Sequence, residues 1–478
     1  MRAARWKDAM LEAEGHTPAG SDDSVLRDDE GAIGAEFVAR VRTAVQAADA
    51  ATLRGLVGDL HEADLGDLIE ALDQDERPRL IELMGADFDF TALVEVDDAV
   101  REEILDELPP ETVAEGVREL DSDDAVYILE DLPHDEQEEI LEQLPPPERV
   151  ALTRSLQYPE DSAGRRMQTD YIAVPPDWRV GHAIDYMRET ADLPDRFYEL
   201  YVVDDDSRLL GAVSLDRLLR TKRPTLISEL MDAERHRVRA TDDQEAVARL
   251  FERYNLVAVP VVDEADRLVG VVTVDDVVDV IEEEAEKDIK ALGGVTGDEQ
   301  LSDSVWTIAR GRFNWLLVNL ATAFLASSVL GLFEGELQKM VALAVLAPIV
   351  ASQGGNAATQ TMTIAVRALA TRELRDSNAR RVVFREFLVG IVNGLAFAVI
   401  TGVVAYAWFR IPDLGVVIGL AMICNLAAAA LGGILIPLII AKLRGDPAVS
   451  SGVFVTTVTD VVGFFSFLGI ATLWFGLK

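Results

Sequence analysis

The chain has 478 residues, and its 84 Asp and Glu against 44 Lys and Arg give a formal net charge of -40. The acids are concentrated in one part, because residues 1 to 312 carry 76 acids and 33 bases, whereas residues 313 to 478 carry 8 and 11. The acidic part repels nucleic acid and favours cations, although adaptation to high salt gives the same surplus. The single Cys424 and five scattered His exclude a disulfide framework and a thiolate zinc site.

The acidic part opens with a polar stretch and a helical region. Residues 1 to 34 are typical of a flexible acidic tail. From residue 35 to 160 apolar residues recur three and four apart, which predicts helices. The phrase Leu-x-x-Leu-Pro begins at Leu105, Leu129 and Leu141, and a helix is expected to end before each Pro. The spacing predicts short helices stacked in a small superhelix.

A duplicated unit follows in residues 161 to 285. The segment LYVVDDDSRLLGAVSLDRLL from Leu200 aligns with VPVVDEADRLVGVVTVDDVV from Val259 at an offset of 59 residues. The repeat predicts two βαββα units and resembles a pair of cystathionine-β-synthase-like (CBS) modules. In such pairs a Ser or Thr followed three residues later by Asp holds an adenosine ribose, which fits Thr273 and Asp276. Two interpretations stay open: a site for ATP or another adenine nucleotide, and a packing unit without nucleotide.

Residues 275 to 304 are predicted to form a connecting helix and a linker. Along this helix Asp275, Asp279, Glu282 and Glu286 share one face. Like charges one turn apart each cost about 0.2 to 0.5 kcal/mol, so Mg²⁺ or Ca²⁺ would stabilise this face. A solvated acidic face in high salt is the alternative interpretation.

Residues 313 to 478 are predicted to be a membrane domain of five helices. The apolar segments cover about 313 to 333, 340 to 366, 383 to 409, 414 to 442 and 449 to 475. Six Arg between 367 and 385, and Lys442 with Arg444, place the alternate loops and the N-terminal region in the cytoplasm. We find no signal peptide before the first apolar run, and we expect the cytoplasmic (inner) membrane as the location.

Two of the apolar segments carry polar residues that require an explanation. In the second segment, Pro348 and the polar run after it predict an interruption of the helix. That run either lines a hydrated path or packs closely through its small residues. The candidate pore-lining residues are Gly354, Gly355, Asn356, Thr359 and Gln360. In the last segment Asp460 is either a cation site in a pore or a buried hydrogen-bond partner of Thr456 or Thr457.

Three motifs in this order resemble the MgtE family of magnesium channels and transporters. They are YPEDSAGRRM (residues 158 to 167), PIVASQGGNAATQ (348 to 360) and DPAVSSGVFVTTVTD (446 to 460). The resemblance implies a multidomain chain with a superhelical α-helical N domain, an α/β tandem CBS pair, a plug helix and an all-α five-helix transmembrane domain. It also implies a homodimer with a pore between the membrane domains, through which Mg²⁺ is taken up.

The resemblance implies roles for individual acids. Asp460 matches the pore acid that holds hydrated Mg²⁺, and Asp446 matches an acid at the cytoplasmic mouth. Cytosolic Mg²⁺ would close the pore by binding sensor acids in the N domain, the CBS pair and the plug helix. These are Asp123, Glu245, Asp276, Asp279, Glu284 and Asp288. Tyr127 and Lys287 stand where the family has an acid.

Two other functions remain as alternatives. One is a secondary transporter that exchanges Mg²⁺ or Co²⁺ for another ion, although the five segments show no inverted repeat. The other is a nucleotide-sensing membrane receptor, in which the CBS pair is the functional part. An enzyme is not expected, because we find no catalytic Ser/His/Asp or Cys/His arrangement, phosphate loop or zinc spacing.

Overall fold

The structure is a computed structural model, and it describes residues 26–28, 31–190, 193–194, 196–295, 297, 299 and 304–477. It divides into two compact units, Met1–Ile281 and Glu282–Lys478, which we describe separately. Most of the predicted flexible tail lies outside the described residues. Its last part is not free, since Leu26 and Ile33 pack against the helical core and Arg27 pairs with Asp67 at 2.7 Å.

Between residues 35 and 156, all of them described, nine short helices of the first unit bury their apolar faces in one core. Each Pro of the repeated phrase ends one helix and caps the next, as predicted, because proline disfavours helical geometry in the residue before it. The helices are α1 (Ala35–Gln46), α2 (Ala50–Val57), α3 (Glu62–Glu70), α4 (Arg77–Met84), α5 (Asp98–Glu107), α6 (Pro110–Val117), α7 (Ser122–Glu130), α8 (His134–Gln143) and α9 (Pro146–Leu156), with 3₁₀ turns at Gly85–Asp87 and Phe90–Leu93.

Two three-stranded sheets follow and confirm the duplication. In each, a short strand runs parallel to the middle strand, which pairs antiparallel with the third. The irregularity after Val202 recurs after Val261, at the predicted offset. The elements are β1 (Ala173–Val174), α10 (Val180–Glu189), β2 (Glu199–Val203), β3 (Leu209–Ser214), α11 (Leu215–Leu219), α12 (Ile227–Leu230), β4 (Val238–Arg239), α13 (Gln244–Tyr254), β5 (Ala258–Val262) and β6 (Leu268–Thr273). Helix α14 (Val274–Leu292) follows β6 directly.

Among the described residues, five helices are long and apolar enough to cross a membrane, as predicted. They are α15 (Val305–Leu332), α17 (Val341–Ala370), α18 (Asp376–Phe409), α19 (Pro412–Lys442) and α20 (Pro447–Phe475), with a short α16 (Glu334–Lys339) after the first. Helix α19 packs against α17, α18 and α20, whereas α15 and α18 leave most of their apolar side chains exposed, as lipid-facing helices do.

The predicted interruption of the second apolar segment is wrong. Helix α17 is continuous, with Pro348 inside it. Proline removes one backbone hydrogen bond from a helix. Membrane helices tolerate this loss when neighbouring helices satisfy the freed carbonyl group. The small residues do not break the helix but bring it close to its neighbours, since Gly354 and Ala358 are buried in the second unit.

Candidate functional site

Asp460 lies on α20 and is partly buried within the second unit, which carries the five apolar helices and which we call the membrane unit. The two threonines of the preceding turn do not bind it, because Thr456 and Thr457 donate their hydroxyl protons to backbone carbonyls. Thr457 Oγ1 lies 2.6 Å from the oxygen of Val453. Among the residues that the structure describes, Asp460 has no hydrogen-bond donor and no basic partner. The carboxylate therefore needs water, a cation or another chain.

Polar residues of α17 form an exposed stripe on one face of the helix. Asn356, Thr359 and Gln360 are exposed in the single chain, and Ser352 and Thr363 continue the same face at helical spacing. Polar side chains at membrane depth face water or protein, because lipid tails offer them no hydrogen bond. The stripe indicates that this face of α17 does not lie against lipid.

The two glycines among the pore-lining candidates do not belong to this exposed stripe. Gly354 is buried, and a Cβ there would stand 2.1 Å from Asn425 Nδ2 on α19. A Cβ on Gly355 would stand 4.0 Å from Thr459 Oγ1 on α20. Both glycines therefore face neighbouring helices of the same chain and permit close packing.

Asp446 caps helix α20. Its Oδ1 accepts a hydrogen bond of 2.7 Å from the backbone N–H of Ala448, and the residue is exposed. Asp446 precedes Asp460 by 14 residues, which is about 21 Å along a helix. The two acids thus occupy the start and the middle of one membrane helix.

Two helices of the first unit begin at an acidic cluster, which we define as Asp123, Asp124, Asp275, Asp276 and Asp279. The first two lie at the start of α7 and the other three in the first turns of α14. Within this unit, the Ser122 hydroxyl accepts a 2.6 Å hydrogen bond from the backbone N–H of Thr169 and joins α7 to the chain entering the CBS pair.

Carboxylates of the acidic cluster are buried against one another. Asp123 is only 7% exposed, and its Oδ1 has no hydrogen-bond partner among the described groups. Burial, and then the charge of Asp276, raise the pKa of Asp123 well above its usual range. Its protonated carboxyl donates a hydrogen bond to Asp276. The ionised form of Asp123 is thus disfavoured, because a second full charge beside Asp276 is costly in this buried position.

The neighbouring acids titrate late for the same reason. Burial, and then the charge of Asp276, raise the pKa of Asp124 to about 7. Burial raises the pKa of Asp276 to about 6, although hydrogen bonds from Thr273 oppose the shift. The Thr273 hydroxyl donates to Asp276 Oδ2 at 2.6 Å. The folded unit therefore disfavours the ionised forms of Asp124 and Asp276, and no basic side chain of a described residue appears among the causes that shift their pKa values.

The donor atoms of the cluster suit Mg²⁺, although no three His, Cys, Asp or Glu side chains in the described part of the chain are placed to hold one metal ion. Mg²⁺ keeps several waters and takes one or two carboxylates, so a pair of acids is sufficient. Asp123 and Asp276 supply such a pair, and Asp123 Oδ1 is a buried oxygen without a partner. A bound Mg²⁺ would supply the positive charge that the cluster lacks.

The other sensor candidates have different surroundings. Glu245 on α13 forms an ion pair with Arg249, one turn later. Glu284 accepts from Lys287 Nζ at 3.4 Å, so the lysine found in place of a family acid neutralises its neighbour. Glu284 and Asp288 lie on the part of α14 that belongs to the second unit. The structure thus brings together three of the six: Asp123, Asp276 and Asp279.

Sequence analysis missed a cationic contact around Tyr127. Arg101 and Arg166 lie over the Tyr127 ring, with their Cζ atoms 4.3 Å and 5.4 Å from its centre. Arg166 Nε also donates to Gln244 Oε1 on α13 at 3.3 Å, so it connects the helical domain to the second CBS module. The available signal was the Arg pair in YPEDSAGRRM. A fixed cation therefore accompanies Tyr127, where the family resemblance implies an acid.

The fold and these acids define a multi-pass membrane protein with a large acidic soluble region. Family models match residues 60–161 to the MgtE intracellular N domain, 163–223 and 227–283 to CBS domains, and 347–470 to MgtE, a divalent cation transporter. The magnesium transporter MgtE of Bacillus subtilis is 30% identical over 438 residues, which is 91% of this chain and 97% of that protein. The chain belongs to the MgtE family of magnesium transporters, as its motifs predicted.

One further curated relative and two solved structures are also similar to this chain. The magnesium transporter MgtE of Thermus thermophilus is 37% identical over 319 residues, 66% of this chain and 71% of that protein. A crystal structure of the soluble part of a magnesium transporter covers 52% of this chain and 98% of its own, with 30% identity and a TM-score of 0.48. The cytosolic domain of the Mg²⁺ channel MgtE in complex with ATP covers 51% and 99%, with 33% identity and a TM-score of 0.47.

Proposed function

We propose that the chain is a Mg²⁺-selective channel for Mg²⁺ uptake, active as a homodimer with its pore between the two membrane units. The observation that carries this proposal is a pair of polar features on the membrane helices, the Asp460 carboxylate and the exposed stripe of α17. Asp460 has no partner among the described residues, and Asn356, Thr359 and Gln360 are exposed on α17. In a single chain surrounded by lipid, the Asp460 carboxylate and the polar stripe of α17 would both lack water, at a cost in free energy of several kcal/mol.

A second copy related by a twofold axis would resolve both features. A twofold interface pairs each surface with itself, so two Asp460 carboxylates would face one path. Mg²⁺ gives up its waters reluctantly, and such a pair could hold the hydrated ion without direct ligation that would block flow. Asp446, exposed at the start of α20, would meet ions at the cytoplasmic mouth.

Gating would use the repulsion within the acidic cluster and between the other sensor acids. When cytosolic Mg²⁺ is low, the acids of α7 and of α14 repel one another, which favours separation of the helical domain from the plug helix. Mg²⁺ bound at the N-domain, CBS and plug-helix acids would remove this repulsion and favour the closed state. The raised pKa values of Asp123, Asp124 and Asp276 support this role, since they report charges that are costly in the docked arrangement.

An adenine nucleotide such as ATP is proposed as a second ligand of the CBS pair. Thr273 and Asp276 are already joined by a 2.6 Å hydrogen bond, which orients both side chains at the end of β6. Asp276 is also the hydrogen-bond acceptor for Asp123. Ribose binding at Asp276 would therefore alter the hydrogen bonds of a carboxylate that also belongs to the acidic cluster.

The test is Mg²⁺ influx into liposomes that contain the purified protein, with wild type beside Asp460→Asn. Asp413→Asn is the matched control, because Asp413 is an exposed membrane-unit acid at the first turn of α19. We expect influx in wild type and in the control, loss of influx in Asp460→Asn, and suppression in wild type by Mg²⁺ on the cytoplasmic face.

Each alternative gives a distinct result in this assay. Influx that Asp460→Asn leaves unchanged would contradict the proposed pore. Influx that requires a gradient of a second cation would identify an exchanger. Nucleotide binding without any Mg²⁺ flux would identify a receptor and overturn the channel proposal.

A further inference from the structure

Asn425 is a polar side chain buried in the middle of α19. It is 0% exposed, and its Nδ2 donates a 2.7 Å hydrogen bond to the backbone oxygen of Val350 on α17. Its Oδ1 has no hydrogen-bond partner among the described groups. The side chain therefore fixes one point of α17 while leaving its own oxygen unsatisfied.

Glycines on two helices make room for this amide. A Cβ on Gly354 of α17 would lie 2.1 Å from Asn425 Nδ2, and a Cβ on Gly463 of α20 would lie 2.9 Å from it. Real Cβ atoms do not approach so closely, so a side chain at either position would move the Asn425 amide or displace a helix. The amide is thus held between the two helices that carry the polar stripe and Asp460.

Packing alone does not explain an asparagine here. A buried amide oxygen without a partner costs about 1 to 3 kcal/mol, and an apolar side chain would avoid this cost. Single buried asparagines are known instead to fix the register between helices at some expense of stability. The hydrogen bond to Val350 has the geometry for this role, because it selects one backbone carbonyl of α17.

The contact is close to the proposed ion path along both helices. Gly463 follows Asp460 by three residues, less than one helical turn. Gly355, next to Gly354, faces Thr459 Oγ1, with 4.0 Å between that oxygen and an added Cβ. A change in how α17 and α20 pack around Asn425 would therefore move Asp460 relative to the exposed Asn356 and Gln360.

We infer that Asn425 is a positioning residue that sets the register of α17 against α19 and, through its packing against Gly463 of α20, the position of Asp460 beside the polar stripe and hence the ion preference of the path. The inference rests on the proposed pore, because it requires that Asp460 and the polar stripe contact the ion. It requires no contact between Asn425 and the ion.

The test compares Asn425→Ala with Met422→Ala in reconstituted full-length protein. Met422 is also fully buried on α19, so its truncation removes packing but no side-chain hydrogen bond. The readouts are the half-saturating Mg²⁺ concentration and the ratio of Mg²⁺ to Co²⁺ influx. For Asn425→Ala we expect the half-saturating concentration or the influx ratio to shift by at least about threefold. This is the change in an equilibrium that corresponds to loss of an average hydrogen bond between membrane helices. We expect Met422→Ala to alter thermal stability alone.

A second variant tests the same contact from α17. Gly354→Ala places a methyl group against Asn425 Nδ2 and should shift the same two readouts. In the double variant with Asn425→Ala the steric conflict is gone, so its effect should be smaller than the product of the single effects. Multiplicative effects, or an Asn425→Ala protein that matches Met422→Ala in both readouts, would overturn the inference. Failure of the pore proposal shows separately, as influx that Asp460→Asn does not reduce.

Discussion

Replacing Asp276 by Asn should make the soluble region less sensitive to pH when Mg²⁺ is absent. Asp276 is buried beside Asp123, and it accepts hydrogen bonds from the backbone and hydroxyl of Thr273. Burial raises its pKa from 3.8 to about 6. The folded state therefore holds this proton to a higher pH than the unfolded chain does, and asparagine removes the difference.

The sign and size of the effect follow from this shift. The contribution of Asp276 is fully present below its unfolded pKa of 3.8 and is lost as the pH rises through about 6. Two pKa units correspond to roughly 3 kcal/mol over the whole range. Between pH 5 and pH 8 the expected loss is about 1 to 2 kcal/mol, because part of the range lies below pH 5.

The assay is urea unfolding of a fragment that ends at Leu292, in EDTA, from pH 5 to pH 8. The range stays above pH 5 because proteins associate near their isoelectric point, which is about 4.4 for the chain. We expect the free energy of unfolding to fall less with pH in Asp276→Asn than in wild type, by at least about 1 kcal/mol, because loss of the Asp276 charge also lowers the pKa of Asp124.

Asp263→Asn is the control for this assay. Hydrogen bonds from Arg267 hold the pKa of Asp263 below its usual range despite partial burial, so its contribution is lost only at more acid pH. This variant should therefore keep the wild-type slope between pH 5 and pH 8. If Asp276→Asn also keeps that slope, burial of Asp276 does not control its titration and the reasoning fails.

Two further variants test packing in the helical domain. Arg166→Ala removes one of the two cations over the Tyr127 ring and the hydrogen bond to Gln244. It should lower the free energy of unfolding of the same fragment by about 1 to 2 kcal/mol, measured in urea at pH 7. An unchanged midpoint would show that these contacts contribute nothing. Gly116→Ala places a Cβ 2.2 Å from the Phe90 ring and should lower the free energy of unfolding by about 1 to 3 kcal/mol. Gly55→Ala, where a Cβ would have nothing within 4 Å, should raise it. Equal effects of the two alanines would contradict this account.

Features that depend on neighbours in sequence could be predicted from the sequence. The helices before Pro109, Pro133 and Pro145 end as expected because proline acts on the adjacent residue. The two CBS sheets follow from an internal repeat at 59 residues, and the membrane helices from the length of their apolar runs. These patterns are local, so they do not require knowledge of which helices pack together.

Features that depend on partners in space could not be predicted in this way. Asn425 stands in an apolar segment without any motif, and only its contacts with Val350 and Gly354 explain it. The same contacts explain why the glycines of α17 do not interrupt the helix. Arg166 belongs to a recognised motif, but the sequence does not show that its guanidinium lies over Tyr127.

The position of the acidic cluster at two helix starts limits how it can be neutralised. Asp123 and Asp124 lie in the first turn of α7, and Asp275 and Asp276 in the first turn of α14. The partial positive charge of a helix N-terminus stabilises a carboxylate by about 0.3 to 1 kcal/mol. This is less than the roughly 3 kcal/mol that ionised Asp276 costs in the folded unit. Above pH 6 Asp276 is mostly ionised, and a bound cation would offset this charge more fully than the helix N-termini do, which supports the proposed binding of Mg²⁺ at this cluster.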